Sequence, residues 1–194
     1  MYSIHLGEKL FRLRSVLPFP LIAIMITGST FSTIHVALGT IGILLGLLLR
    51  LWTVGYIGVE SRVIKKATAP RLCTGGPYRL IRNPLYLANM AIYLGFAGLS
   101  NTLSPWLPLF VLVIYGFIYS MIVRYEEDIL CHTWQNAYKD YARLVPRWIP
   151  TGRPALAGEE HFRFTAVLKS ERWTYVAVIA TAASLILRWK FRAA

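Results

Sequence analysis

Five apolar runs alternate with polar stretches along the chain. The first extends from Val16 to Phe31, with Pro18 and Pro20 in its first turn, where proline is tolerated. The second extends from Ile34 to Gly58 and is broken only by Arg50. A third extends from Leu85 to about Leu103, and a fourth from Trp106 to Val123. The fifth, Trp173 to Leu187, is barely long enough for a span, since about 20 apolar residues are needed to cross a bilayer. The loops at 29–34 and 100–105 are short and uncharged, so each predicts an antiparallel helical hairpin. The expected fold is all-α: a polytopic membrane bundle of four to five transmembrane helices.

The polar stretches set the orientation. Basic residues gather at the N-terminus, in 60–84 (Arg62, Lys65, Lys66, Arg71, Arg79, Arg82) and in 124–172. Placing these loops inside predicts a cytoplasmic N-terminus and four spans. The tail "RWKFRAA" departs from this rule if the fifth run crosses, because Arg188, Lys190 and Arg192 then lie outside. Composition agrees with a membrane protein: 56% hydrophobic residues, with a mean hydropathy of +0.50. The 21 basic and 9 acidic residues give +12, confined to short stretches between apolar runs. That arrangement suits anionic headgroups and not nucleic acid. Basic residues precede the first run, but no small-residue cleavage site follows, so the run is expected to be retained. Cys73 and Cys131 form no CxxC pair, and the four histidines have no ligand spacing, so neither a disulfide framework nor a metal site is expected. No internal repeat and no glycine-rich nucleotide-binding loop is present. The chain is read as one domain over 1–194.

Chemistry gathers in the two long polar segments, both on the predicted cytoplasmic side. In "GPYRLIRNPLY", a Gly-Gly-Pro turn leads to Asn83-Pro84, which reads as an N-cap and first helical residue. Tyr86, Asn89 and Tyr93 follow at spacings of three and four and share a face. These residues read equally as interfacial tyrosines behind a cap, or as the wall of a site whose helix N-terminus receives an anion. In "VRYEEDIL", Arg124, Glu126 and Glu127 end a span, either as a solvated helix end or as a ligand-binding cluster. In "WQNAYKDYARLVPRWIP", Tyr138 and Tyr141 belong to an aromatic helix that lies on headgroups or covers a pocket. Arg50 is costly in lipid and is expected to snorkel or to face the interior.

The order "GPYRLIRNPLY", a span pair, "EEDIL" and "YKDYARLVPR", with "LRLWTVGYIG" ahead of them, resembles the isoprenylcysteine carboxyl methyltransferase and phospholipid methyltransferase group. The resemblance covers about residues 45–150 and leaves 151–194 as a C-terminal segment with the candidate fifth span. It implies an integral-membrane enzyme that uses S-adenosylmethionine. Its pocket would lie at the cytoplasmic face of the inner or plasma membrane in a bacterium, or of the endoplasmic reticulum in a eukaryote. Carried over residue by residue, cofactor contacts fall on Arg71, Leu72, Cys73, Tyr78, Asn83, Pro84, Leu85, Tyr86 and Glu126. Arg82 suits the cofactor carboxylate and Glu126 its ammonium, while Arg124 and Glu127 are expected toward the substrate. The acceptor would be lipid-like or small and apolar. Three departures stand out. Asn83 and Pro70 replace family histidines, and Trp134-Gln135 replaces a usual Phe-Gly. An NADPH-dependent membrane reductase of the sterol-reductase kind and a non-catalytic lipid-binding scaffold are the competing readings. The absent histidine and the adjacent glutamates speak against the reductase.

Overall fold

The computed structural model describes residues 2–58, 71–150, 158 and 160–193. Arg62, Lys65, Lys66 and Pro70 lie outside the described residues. Among those described there are six helices and no strand: α1 (Tyr2–Leu13), α2 (Pro18–Gly28), α3 (Thr33–Ile57), α4 (Pro84–Ser100), α5 (Trp106–Leu144) and α6 (Phe164–Ala193), with a 3-10 turn at Gly76–Arg79. Helices α3, α5 and α6 are each long and apolar enough to cross a membrane.

The first apolar run does not make a span by itself, since its helix α2 has 11 residues. The chain bends by 56° between α1 and α2, and only as a pair do they meet the length and composition of a span. Pro18 at the start of α2 allows the break, because proline fits a first helical turn but not an interior. Helix α1 is amphipathic and lies along α5, with Gly7 letting the two backbones approach at Met121. Nor is the fifth run marginal, since α6 extends well beyond Trp173–Leu187 at both ends.

Helices α3 and α4 form the tightest pair. Gly39, Gly42 and Gly46 of α3 face Ile92, Gly95 and Leu99 of α4. A Cβ on Gly95 would stand 2.8 Å from the Gly39 carbonyl oxygen. Small residues permit this approach, and close approach is what holds helices together where lipid removes the hydrophobic drive. The bundle is apolar outside as well as inside. Leu38, Ile41, Leu45 and Leu48 make an exposed stripe on α3, and Phe110, Val113 and Phe117 another on α5. This is expected when the surrounding solvent is hydrocarbon.

Arg50 faces the interior. Its guanidinium bonds to Glu171 of α6 and Asn89 of α4, which ties three helices together. The basic tail also finds partners. Arg188 and Arg192 donate to the carbonyls of Thr27 and Ser29 at the C-terminal end of α2, where a helix dipole favours cations.

Candidate functional site

The C-terminal end of α3, the N-terminal end of α4 and the later part of α5 surround one cavity of about 630 Å³. That lies within the range of about 300–1,000 Å³ typical of small-molecule sites. Local sequence builds its mouth. Gly76 sits at φ +55°, and a Cβ there would meet the Tyr56 ring, so the Gly-Gly-Pro turn admits no side chain at this point. The turn lays residues 71–83 across the bundle end. The Tyr141 hydroxyl donates to the Tyr78 carbonyl at 2.9 Å, and the Arg82 amide donates to the Pro146 carbonyl at 2.9 Å. Arg71 donates to the Tyr56 carbonyl at 3.1 Å.

Nine of the ten residues expected to touch cofactor line this cavity: Arg71, Leu72, Cys73, Tyr78, Arg82, Asn83, Leu85, Tyr86 and Glu126. Pro84 does not, being fully buried as the first residue of α4. Tyr86, Asn89 and Tyr93 share the cavity wall, as their spacing suggests. Tyr138 and Tyr141 cover it. They reach that position because α5 breaks at Gln135, where φ is +43°. Glycine tolerates that conformation best, and Gln135 is the position where the resembled family usually has glycine. Cys73 and Cys131 are not joined by a disulfide.

The two residues expected toward substrate go elsewhere. Arg124 is exposed on the outer side of α5 and does not line the cavity. Glu127 is buried in a knot. It accepts from Arg147 at 2.6 and 3.1 Å, lies 3.5 Å from Arg82, and accepts from Asn83 at 3.4 Å. Adjacent helical residues point about 100° apart, so Glu126 and Glu127 cannot share a task. Glu126 opens on the cavity with the Tyr86 hydroxyl bonded to it, and Glu127 clamps the 82–83 and 147 segments onto α5. Asn83 does not cap α4 with its side chain, which bonds to Glu127 and to the Arg147 carbonyl. The bond to Glu127 raises the pKa of Arg147 above the usual arginine value. Burial, with the nearby Cys73 and Tyr141, raises that of Tyr78, which keeps its hydroxyl neutral.

The cavity also takes residues not anticipated as site residues, among them Arg14 from the α1–α2 junction, Tyr119 from α5, and Trp173 and Thr174 from α6. Tyr119 stands two helical turns before Glu126 on α5, a spacing that puts both on one face, whereas Arg14, Trp173 and Thr174 arrive from the two ends of the chain with no local spacing to the motifs.

The cavity suits S-adenosylmethionine. The side chains of Arg71 and Arg82 line it and bring positive charge for an anionic group. Glu126 supplies a carboxylate for a cation. The rings of Tyr78, Tyr86, Tyr138 and Tyr141 provide faces for an adenine and a sulfonium.

Two curated relatives are similar in sequence. One is the cobalt-zinc-cadmium resistance protein CzcN of Cupriavidus metallidurans, 28% identical over 63% of this chain and 52% of its own. The other is the nickel-cobalt-cadmium resistance protein NccN of Alcaligenes xylosoxydans xylosoxydans, 28% identical over 71% of this chain and 62% of its own. The chain thus spans less than two thirds of the length of either. No solved structure matches it. The phospholipid methyltransferase family model matches residues 34–137, more than half of the chain and the part that builds most of the cavity, and the chain belongs to that family.

Proposed function

We propose that the chain is an S-adenosylmethionine-dependent methyltransferase of the membrane, acting on a lipid-like or small apolar acceptor. The observation that supports this most is the pairing inside one cavity of a carboxylate, Glu126, with two arginine side chains, Arg71 and Arg82. A ligand that is both anionic and cationic at one end matches that set. When bound, the cofactor supplies an activated methyl group. The protein's part is to bind, orient and exclude water. Arg71 and Arg82 hold the carboxylate, Glu126 holds the ammonium, and the tyrosines seat the rest. Transfer of a methyl group needs no covalent enzyme intermediate, so positioning and electrostatics dominate. The apolar remainder of the cavity, between α2, α4 and α6, receives the acceptor.

The mouth of the cavity shares its end of the bundle with the basic loops, so we place it on the cytoplasmic side. The relatives' names speak of metal resistance; for this chain we take them as a setting in which such a methylation is used. Calorimetric titration of the purified protein tests the reading. S-adenosylhomocysteine is expected to bind and to raise the melting temperature in a dose-dependent way, and NADPH is not. Binding of NADPH with no response to S-adenosylhomocysteine would favour the reductase instead.

A further inference from the structure

The cavity has a charged waist that the cofactor set does not use. Arg50 and Asn89 both line it, and Glu171 stands behind Arg50 with no exposed surface. Arg50 lies seven residues before the end of α3, and Asn89 five residues after the start of α4. At 1.5 Å per residue, both sit about 7–11 Å below the mouth. Further down, the walls are Met25, Ile92, Phe96, Ala177 and Val178, with the hydroxyl-bearing Tyr93 and Thr181 among them.

The hydrogen bonding of the guanidinium is informative. Arginine carries five N–H donors. Nε–H and one Nη2–H go to the two carboxylate oxygens of Glu171, and one Nη1–H goes to Asn89 Oδ1. Two donors remain without a partner among the described residues, on a side chain that faces the cavity. A donor left unmet at membrane depth is costly, so an occupant of the cavity should present an acceptor oxygen there.

The charge of that occupant also follows. Glu171 already neutralises Arg50 through a two-pronged contact. A second anion at the waist would be desolvated beside Glu171 with no uncompensated cation to receive it. An uncharged hydroxyl or carbonyl oxygen takes the two donors and adds no charge.

We infer that Arg50, held by Glu171 and Asn89, is the residue that positions the acceptor, and that it selects an uncharged amphiphile over an anionic one. The oxygen of the acceptor's head lies at Arg50 and its tail runs toward Met25, Phe96 and Val178. The inference rests on the methyltransferase reading for the word acceptor, but not for the binding itself. Arg50 and Asn89 lie within the residues matched by the family model, and Glu171 of α6 lies outside them.

Trp173 lines the same cavity and reports on occupancy. The experiment places the full chain in lipid nanodiscs and follows quenching of tryptophan fluorescence by 12-bromododecanol and by 12-bromododecanoate, at a pH where the acid is ionised. Trp173→Phe identifies the cavity component. The alcohol is expected to half-saturate at a concentration at least tenfold lower than the carboxylate. Glu171→Gln leaves the guanidinium charge unmatched and should reverse the order. If that variant does not fold, Arg50→Met with Glu171→Met removes the pair with its volume kept and should bind the alcohol at least tenfold more weakly. Equal binding of the two probes by the wild type would overturn the inference. So would unchanged alcohol binding by the double variant, or no quenching that depends on Trp173. S-adenosylhomocysteine titration of the same samples separates the two readings: its binding without head-group selection sinks only the role of Arg50, and its failure with selection intact sinks only the methyltransferase.

Discussion

Glu126 and Glu127 are neighbours with different work, and neutralising each should reveal it. Glu126→Gln keeps the shape and removes the charge on the cavity wall. A hydrogen bond to a charged group contributes about 1.5–3 kcal/mol, so affinity for S-adenosylhomocysteine should fall roughly ten- to a hundredfold. No basic partner among the described residues bonds to Glu126, so the ligand-free protein should melt where the wild type does, or higher. Glu127→Gln acts on the knot. Breaking a fully buried ion pair costs about 3–5 kcal/mol. Here the Glu127 side chain is 10% exposed but that of Arg147 is 39% exposed. Solvent screening brings the expected loss to about 1–3 kcal/mol. For a chain of this size that is a fall of about 3–10 °C in melting temperature. Cofactor affinity should drop less than with Glu126→Gln, through looser placement of Arg82 and Asn83. Differential scanning fluorimetry and calorimetric titration of both variants give the two numbers. The reasoning fails if Glu126→Gln lowers the melting temperature as Glu127→Gln should, or if both variants bind like the wild type.

Three further outcomes are expected. Gly95→Ala puts a methyl group 2.7 Å from the Ile43 amide nitrogen and should destabilise by about 1–3 kcal/mol, whereas Gly116→Ala, with nothing within 4 Å of its Cβ, should melt like the wild type. Gln135→Gly should raise the melting temperature, because an exposed side chain at φ +43° is strained by about 1 kcal/mol that glycine does not bear; a lower value would mean that Gln135 makes a contact that outweighs its backbone. Lys139→Cys, with Cys73 and Cys131 replaced, should resist an impermeant thiol reagent added from outside intact cells, and strong labelling would invert the proposed orientation. Lys65→Cys, beyond the described residues, extends the same test.

What the sequence determined by itself is local in range. Hydropathy and helical period marked the spans, and the uncharged turn at 100–105 marked the packing of α4 on α5, whereas α2 packs on α4 and α6 and not in a hairpin with α3. The three- and four-residue spacing of Tyr86, Asn89 and Tyr93 put them on one wall, because side chains one turn apart must share a face. The motif order brought nine residues to one cavity, since their segments are each fused to a helix end on the same side. The tertiary structure decided what each face meets. Spacing separates Glu126 from Glu127 by a fixed angle, but only the placement of Arg147 and Asn83 made Glu127 the clamp and left Glu126 to the cavity. Arg50 was visible as a charge that lipid would not accept. Its partner Glu171 lies 121 residues away, on a helix whose apolar stretch alone looked barely long enough to span. The break at Gln135 that turns Tyr138 and Tyr141 over the site shows in the sequence only as a glycine replaced. Pairings of this kind depend on how helices cross and how closely glycines let them approach. That is a property of the assembled bundle and has no period along the chain.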